Sequence, residues 1–260
     1  MQNIKNFRPL AYSLINAQGK GIKKHMIFRS GELSKASIEE IDEIISLGIK
    51  SIFDLRSDYE QQAQMSNSNL KIYGYNISQS TSKKRMDAEF LKQLANSDVD
   101  QFMMSLYREY LALSPVLKPL FQHIIKIRTP FLFHCSAGKD RTGIIGAILM
   151  SLLDFDLESI YQEYLKIDFR ILNDAIENQK KDGLSEEMIH KLIPLSGVNP
   201  IYLDEFFKTI LSNYQTMNQY FYQFLDLTQD EIIEFKKILF NLIKTTSSDV
   251  VYFYVVLICV

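Results

Sequence analysis

Cysteine is almost absent: Cys135 and Cys259 are the two in 260 residues. Without a C-x-x-C pair, neither a zinc finger nor a disulfide framework is indicated, and an unpaired thiol suits a reducing compartment. The expected location is therefore cytoplasmic, with leaderless export as the alternative. The four histidines, His25, His123, His134 and His190, lack metal spacing, so no metal site is expected. Neither sign of charge is in excess. Lys and Arg number 29 against 31 Asp and Glu, for a net charge of −2 and a pI near 6.1. Nothing global therefore advertises nucleic acid or an anionic membrane as a partner. The opening MQNIKNFRPLAYSLINAQGK lacks the apolar core of a secretory signal. No apolar run approaches the ~20 residues of a spanning helix, and no repeat or linker is visible.

What remains is an ordinary globular composition, 47% hydrophobic and 23% charged, long enough to bury a sizeable core. One domain over residues 1–242 is expected, followed by an apolar tail over 243–260. In that tail Val250–Val260, VVYFYVVLICV, carries no charge. It is too short to span a bilayer as a helix; a buried strand and a lipid-dipping segment are the two readings, and exposure would make it aggregation-prone.

The rest of the chain is organised around Phe131–Gly143, FLFHCSAGKDRTG. An apolar strand leads into the loop and an apolar helix, Ile144–Leu153, leads out. Strand, glycine-containing loop and helix N-terminus together build a nest of N–H groups for a phosphate-like anion. Upstream, His25–Phe28 reads as a strand ending in a turn at Arg29-Ser30-Gly31. Ser37 and Glu40 form a capping box before Ile38, Ile41, Ile44 and Ile45 at helical spacing, and Gly48 closes that helix. Lys50–Leu55 and Lys71–Ile77 read as strands, Ser78–Lys84 as a polar loop, and Arg85–Leu113 as one or two helices. Val116–Ile127 is a further helix. Beyond the loop, Asp156, Ser185 and the Thr228/Glu231 box start helices, Ile171–Leu195 is helical, and Tyr202–Tyr222 is strongly aromatic. Residues 1–25 read as irregular. The expected fold is α/β: a central, mostly parallel sheet flanked by helices, with a helical C-terminal half.

A cysteine at a helix N-terminus beside cations has its pKa lowered toward the thiolate range, and Lys139 and Arg141 stand close to Cys135 in sequence. Arg141 offers a planar fork that matches two phosphate oxygens. The loop N–H groups from Ser136, Ala137, Gly138, Lys139 and Asp140 complete an anion site that stabilises developing charge. Thr142 can donate a hydrogen bond to the sulfur, and His134 can orient the loop through its backbone. Taken singly, a cysteine on an apolar strand is a small core hydrophobe and a glycine before a helix is a turn. At these offsets, in strand–loop–helix context, the set points to chemistry.

HCSAGKDRTG resembles the signature loop of cysteine-based protein tyrosine phosphatases, H-C-x-x-G-x-x-R-[ST]. With FRSGELS and LGIKSIFDLRSDYE it is similar to the bacterial tyrosine/serine phosphatase branch that also hydrolyses phosphoinositides. YQEYL at Tyr161–Leu165 and the aromatic pattern of Tyr202–Ile232 extend the likeness over most of residues 5–242. Where that branch often reads N-F-R-D-L-G-G, this chain has Asn6-Phe7-Arg8-Pro9-Leu10-Ala11-Tyr12. The resemblance implies a protein tyrosine phosphatase-like fold, no cofactor and no metal. It implies Cys135 as nucleophile forming a phosphocysteine, Arg141 as phosphate ligand, and Asp140 as general acid, with Asp98 and Asp100 as upstream alternatives. Asp54 and Arg56 are either cleft residues or a buried ion pair steadying the loop. Lys139 is either a solvated side chain or a second cation for doubly phosphorylated inositol rings. The implied partner is a phosphorylated protein, or a phosphoinositide with membrane contact. Arsenate reduction or sulfur transfer, and a non-catalytic phospho-binding module, are the remaining alternatives.

Overall fold

The computed structural model describes residues 1–62, 69–77 and 87–240. The expected Ser78–Lys84 loop and the tail over 243–260, with Cys259, lie outside them.

Four strands run parallel: β2 (Ile27–Ser30), β3 (Ser51–Asp54), β4 (Lys71–Gly74) and β5 (Phe131–His134). They follow a two-residue strand β1 (Arg8–Pro9), which pairs antiparallel on β2, and the sheet order is β1-β2-β5-β3-β4. Pro9 is tolerable there because β1 is an edge. Every residue of β2, β3 and β5 is buried, as expected for parallel strands covered on both faces. Register pairs Ser30 and Asp54 with His134, so three strands end level beside Cys135. The carboxyl ends of parallel strands are where open α/β sheets bind ligands.

Between β2 and β3 runs α1 (Ile38–Ser46), whose Ser37/Glu40 capping box forms as the sequence predicts. Gly48, with φ +80°, follows its end. The predicted 85–113 helical segment is α2 (Ala88–Leu94), α3 (Val99–Ser105) and a π-helical stretch, Leu106–Leu111. Then come α4 (Leu117–Ile124) and, after β5, α5 (Asp140–Leu152). Helix α5 is buried on nearly every side, which explains why it is apolar all round.

The C-terminal half is helical: α6 (Leu157–Tyr164), α7 (Arg170–Lys181), α8 (Glu186–Lys191), α9 (Ile193–Ser196) and α10 (Pro200–Tyr214). A short α11 (Met217–Gln219), a π-helical Tyr220–Phe224 and α12 (Gln229–Leu239) complete it. Gly183, at φ +75°, ends α7 and divides the expected Ile171–Leu195 helix.

Two expectations are corrected. Arg29-Ser30 continues β2 instead of turning, because both residues pair with β5. The irregular lead-in contains β1, too short for any periodicity to reveal. Among the described residues, no helix is long and apolar enough to cross a membrane, and no group of three or more His, Cys, Asp or Glu could hold a metal.

Candidate active site

Residues 135–139 link β5 to α5, and the loop's shape is imposed from outside. Gly138 has φ +69°, and a Cβ there would lie 2.5 Å from the backbone of Ser30 and Gly31. No side chain fits. The loop carbonyls are each tied outward. Ser136 O accepts from Glu32 N at 2.9 Å, Ala137 O from Asn6 Nδ2 at 2.9 Å, and Gly138 O from Arg29 Nη2 at 3.0 Å. In a trans peptide the N–H points opposite to the C=O, so anchoring the carbonyls leaves amide donors on the inner face. The N-terminus of α5 adds its dipole to that face.

Cys135 opens the loop and is 2% exposed. Arg141, in the first turn of α5, stands at the other end. Its guanidinium is already gripping a carboxylate: Nη1 donates to Glu60 Oε2 at 2.7 Å and Nη2 to Glu60 Oε1 at 3.0 Å. Nη2 also reaches Ser136 Oγ at 3.1 Å, and Ser136 Oγ donates to Glu60. Burial alone would lower the Arg141 pKa, but Glu60 and the nearby Cys135 raise it above its ordinary value. Burial pushes Glu60 up, and Arg141 and Ser136 hold it well below the usual carboxylate range. The fork geometry that suits two phosphate oxygens is thus exhibited on two carboxylate oxygens.

His134 Nδ1 meets the Cys135 carbonyl oxygen at 3.2 Å, the backbone-orienting contact expected of it. Burial lowers its pKa, so it stays neutral near pH 7. Asp54 and Arg56 form a buried two-pronged ion pair, with Arg56 Nη2 to Asp54 Oδ2 at 2.8 Å and Nε to Oδ1 at 3.0 Å. Leu55 N donates to His134 O at 2.8 Å, and Arg56 also reaches Glu32. Of the two expected readings, this geometry matches the ion pair that steadies the loop.

Asp140 accepts from Tyr107 Oη at 2.7 Å and lies 3.2 Å from Lys139 Nζ. Tyr107 Oη is in turn 2.9 Å from Tyr164 Oη. Burial, then the charge of Asp140, raises Tyr107 far above the ordinary phenol range, so it is a fixed donor. The upstream carboxylates are otherwise engaged. Asp98 caps α3 through Gln101 N at 2.9 Å, and Asp100 accepts from Tyr202.

Lys139 is not solvated, as one of its two readings had it. It is 4% exposed, and Nζ donates to Leu195 O at 2.8 Å and Gly197 O at 2.7 Å, clipping the loop to α9. Thr142 is fully buried, and its hydroxyl has no hydrogen-bond partner among the described residues.

Four residues with a hand in the site escaped the reading of the sequence: Asn6, Arg29, Glu60 and Tyr107. Arg29 and Glu60 fall within the FRSGELS and DLRSDYE segments that carried part of the resemblance. Tyr107 had no local signal at all.

The model of the tyrosine phosphatase family matches residues 1–241. A Cupriavidus necator protein assigned as a tyrosine-protein phosphatase is 24% identical over 222 residues, covering 84% of this chain and 80% of that protein. A tyrosine-protein phosphatase of Nostoc commune is 30% identical over 158 residues, covering 60% of this chain and 51% of its own. The crystal structure of P. aeruginosa TpbA aligns over 72% of this chain and 87% of its own, at 12% identity. Its TM-score is 0.30, a superposition too loose to inform the site.

Proposed function

The chain belongs to the tyrosine phosphatase family and is a phosphatase; we propose that it hydrolyses phosphomonoesters, phosphotyrosine foremost, through a cysteinyl-phosphate intermediate on Cys135. The observation that carries this reading is the Arg141 fork, which presents two N–H groups to a paired-oxygen anion on the loop that Cys135 opens.

In this mechanism the Cys135 thiolate attacks phosphorus in line with the leaving oxygen. Arg141 and the inner-face amides of residues 136–140 hold the equatorial oxygens as charge spreads. Asp140 gives its proton to the leaving oxygen and then, as carboxylate, takes one from the water that cleaves the phosphocysteine. Tyr107 fixes the Asp140 carboxyl for both steps. No cofactor or metal enters the mechanism.

Phosphotyrosine is favoured for two reasons. Cys135 is recessed, so a long aryl ester reaches it more readily than a short seryl one. Two relatives are named for tyrosine-protein phosphatase activity. A second cation in the loop would suit the phosphoinositide alternative, and Lys139 Nζ is occupied by two carbonyls. A rate panel of phosphotyrosyl peptide, phosphoseryl peptide and phosphoinositide tests the reading. The expected result is a kcat/KM at least about 10-fold higher for the phosphotyrosyl peptide, one tenfold step or more in barrier. A preference for the lipid substrate would replace this assignment.

A further inference from the structure

We propose that Arg29 is the buried counter-ion of the Cys135 thiolate, a positioning residue that readies the nucleophile from behind the loop. The proposal rests on Cys135 being the nucleophile.

Arg29 sits on β2, beside β5, with its whole side chain enclosed; the residue is 1% exposed. It packs along helix α5: a Cβ at Gly146 would stand in ordinary contact with Arg29 Nη1 at 3.5 Å, and one at Gly143 with Nη2 at 4.0 Å. Nη2 donates to Gly138 O at 3.0 Å, so the guanidinium is placed directly against the loop. The Nε–H has no hydrogen-bond partner among the described residues.

The charges behind the loop do not balance. Arg8, Arg29 and Lys166 all converge on one buried carboxylate, Glu163. Arg8 holds it at 3.0 Å, while Arg29 is 3.4 Å away on the same oxygen. A buried cation with half a partner is costly, and an anion on the far side of the loop relieves it. Burial, with the charge of Arg8, pulls Arg29 down to about 10, and Glu163 and an ionised Cys135 push back.

Other titratable groups lie around the loop. Arg141 and Asp140 stand on α5, with Lys139 at its start; Glu163 and Tyr164 stand on α6. His134, Asp54 and Arg56 lie on the β3–β5 side, and Glu60 faces Arg141. Most are matched. Glu60 pairs with Arg141, Asp54 with Arg56, and Asp140 lies beside Lys139. Burial keeps His134 neutral and raises Tyr164, which stays protonated. Arg29 is the least compensated, and a Cys135 thiolate or a bound phosphate supplies what it lacks.

The test is the pH dependence of iodoacetamide alkylation, read on the Cys135 peptide of the full-length protein by mass spectrometry. It reports the thiol whether or not any ester turns over, so failure here is separate from failure of the phosphatase reading. In Arg29→Met the midpoint should rise by about one pH unit, the ordinary effect of removing a nearby opposite charge. In Glu163→Gln it should fall, because Arg29 keeps its charge and loses its shared carboxylate. Arg29→Lys keeps the positive charge but gives up the planar fork that reaches Gly138 O, and should hold the midpoint closer to wild type than Arg29→Met does. An unchanged midpoint in folded Glu163→Gln would overturn the proposal, even if Arg29→Met does not fold. So would an Arg29→Lys shift as large as that of Arg29→Met, because the fork to Gly138 O and not the charge would then be what matters.

Discussion

Arg141 is the side chain on which two demands meet. In the proposed mechanism it takes up a phosphate dianion, and it already holds Glu60 by both Nη groups. Because Glu60 is kept ionised by that contact, an incoming oxyanion meets a fixed negative charge at its own binding arginine. Like charges a few ångströms apart at a partly exposed site repel by about 1–3 kcal/mol. Glu60→Gln is therefore expected to lower the competitive inhibition constant of inorganic phosphate by about five- to tenfold. A rise of similar size would show that Glu60 is needed to hold the guanidinium in place. The residues readable in the sequence are those whose roles are local, namely Cys135, Gly138, Arg141 and His134, all on one loop. Glu60, Arg29, Asn6 and Tyr107 act across separations of 33 to 132 residues. Their partners become neighbours only when the sheet order is known. Lys139 shows the reverse failure: its position in the loop was plain, but the carbonyls that bury it come from Leu195 and Gly197.

Helix α1 shows how an element is held in place beside the loop. Its capping-box carboxylate, Glu40, accepts from Ser37 N at 3.0 Å, Asn3 N at 2.7 Å and Asn3 Nδ2 at 3.0 Å. Burial pushes this carboxyl up, but the donors from Ser37 and Asn3 hold it at about 2. A pKa depressed below the unfolded value of 4.5 gives stability that is complete above that value and lost as pH falls through about 2. Glu40→Gln should thus cost roughly 1–2 kcal/mol at pH 7, read by urea unfolding. The gap to wild type should shrink steadily below pH 4.5. A gap of constant size down to pH 2 would rule out the carboxylate as its source. The start of α1 could be read from sequence because a capping box is a local pattern. The start of α8 was legible in the same way, because Ser185 is a local cap that accepts from Met188 N.

At the scale of the whole molecule, the sheet brings three strand ends level at one point, and the C-terminal helices close over the loop from the side. Tyr107, Tyr164, Leu195 and Gly197, from three different segments, fix Asp140 and Lys139 in place. The α/β class and the parallel sheet were legible because short apolar strand centres, Ile27-Phe28, Ile52-Phe53 and Phe131–Phe133, alternate with helical patterns. The two-residue β1 was not, because its pairing on β2 leaves no periodic trace. The central claim concerns the path of the phosphoryl group, and one measurement follows it. An aryl phosphate with a good leaving group needs little protonation to react, so Asp140→Asn should still form the cysteinyl phosphate but release it slowly. Acid quenching of that variant during turnover, with digestion and mass spectrometry, should find phosphate on the Cys135 peptide, alongside a burst of phenol. Turnover with no adduct on Cys135, or with phosphate on another residue, would contradict the account.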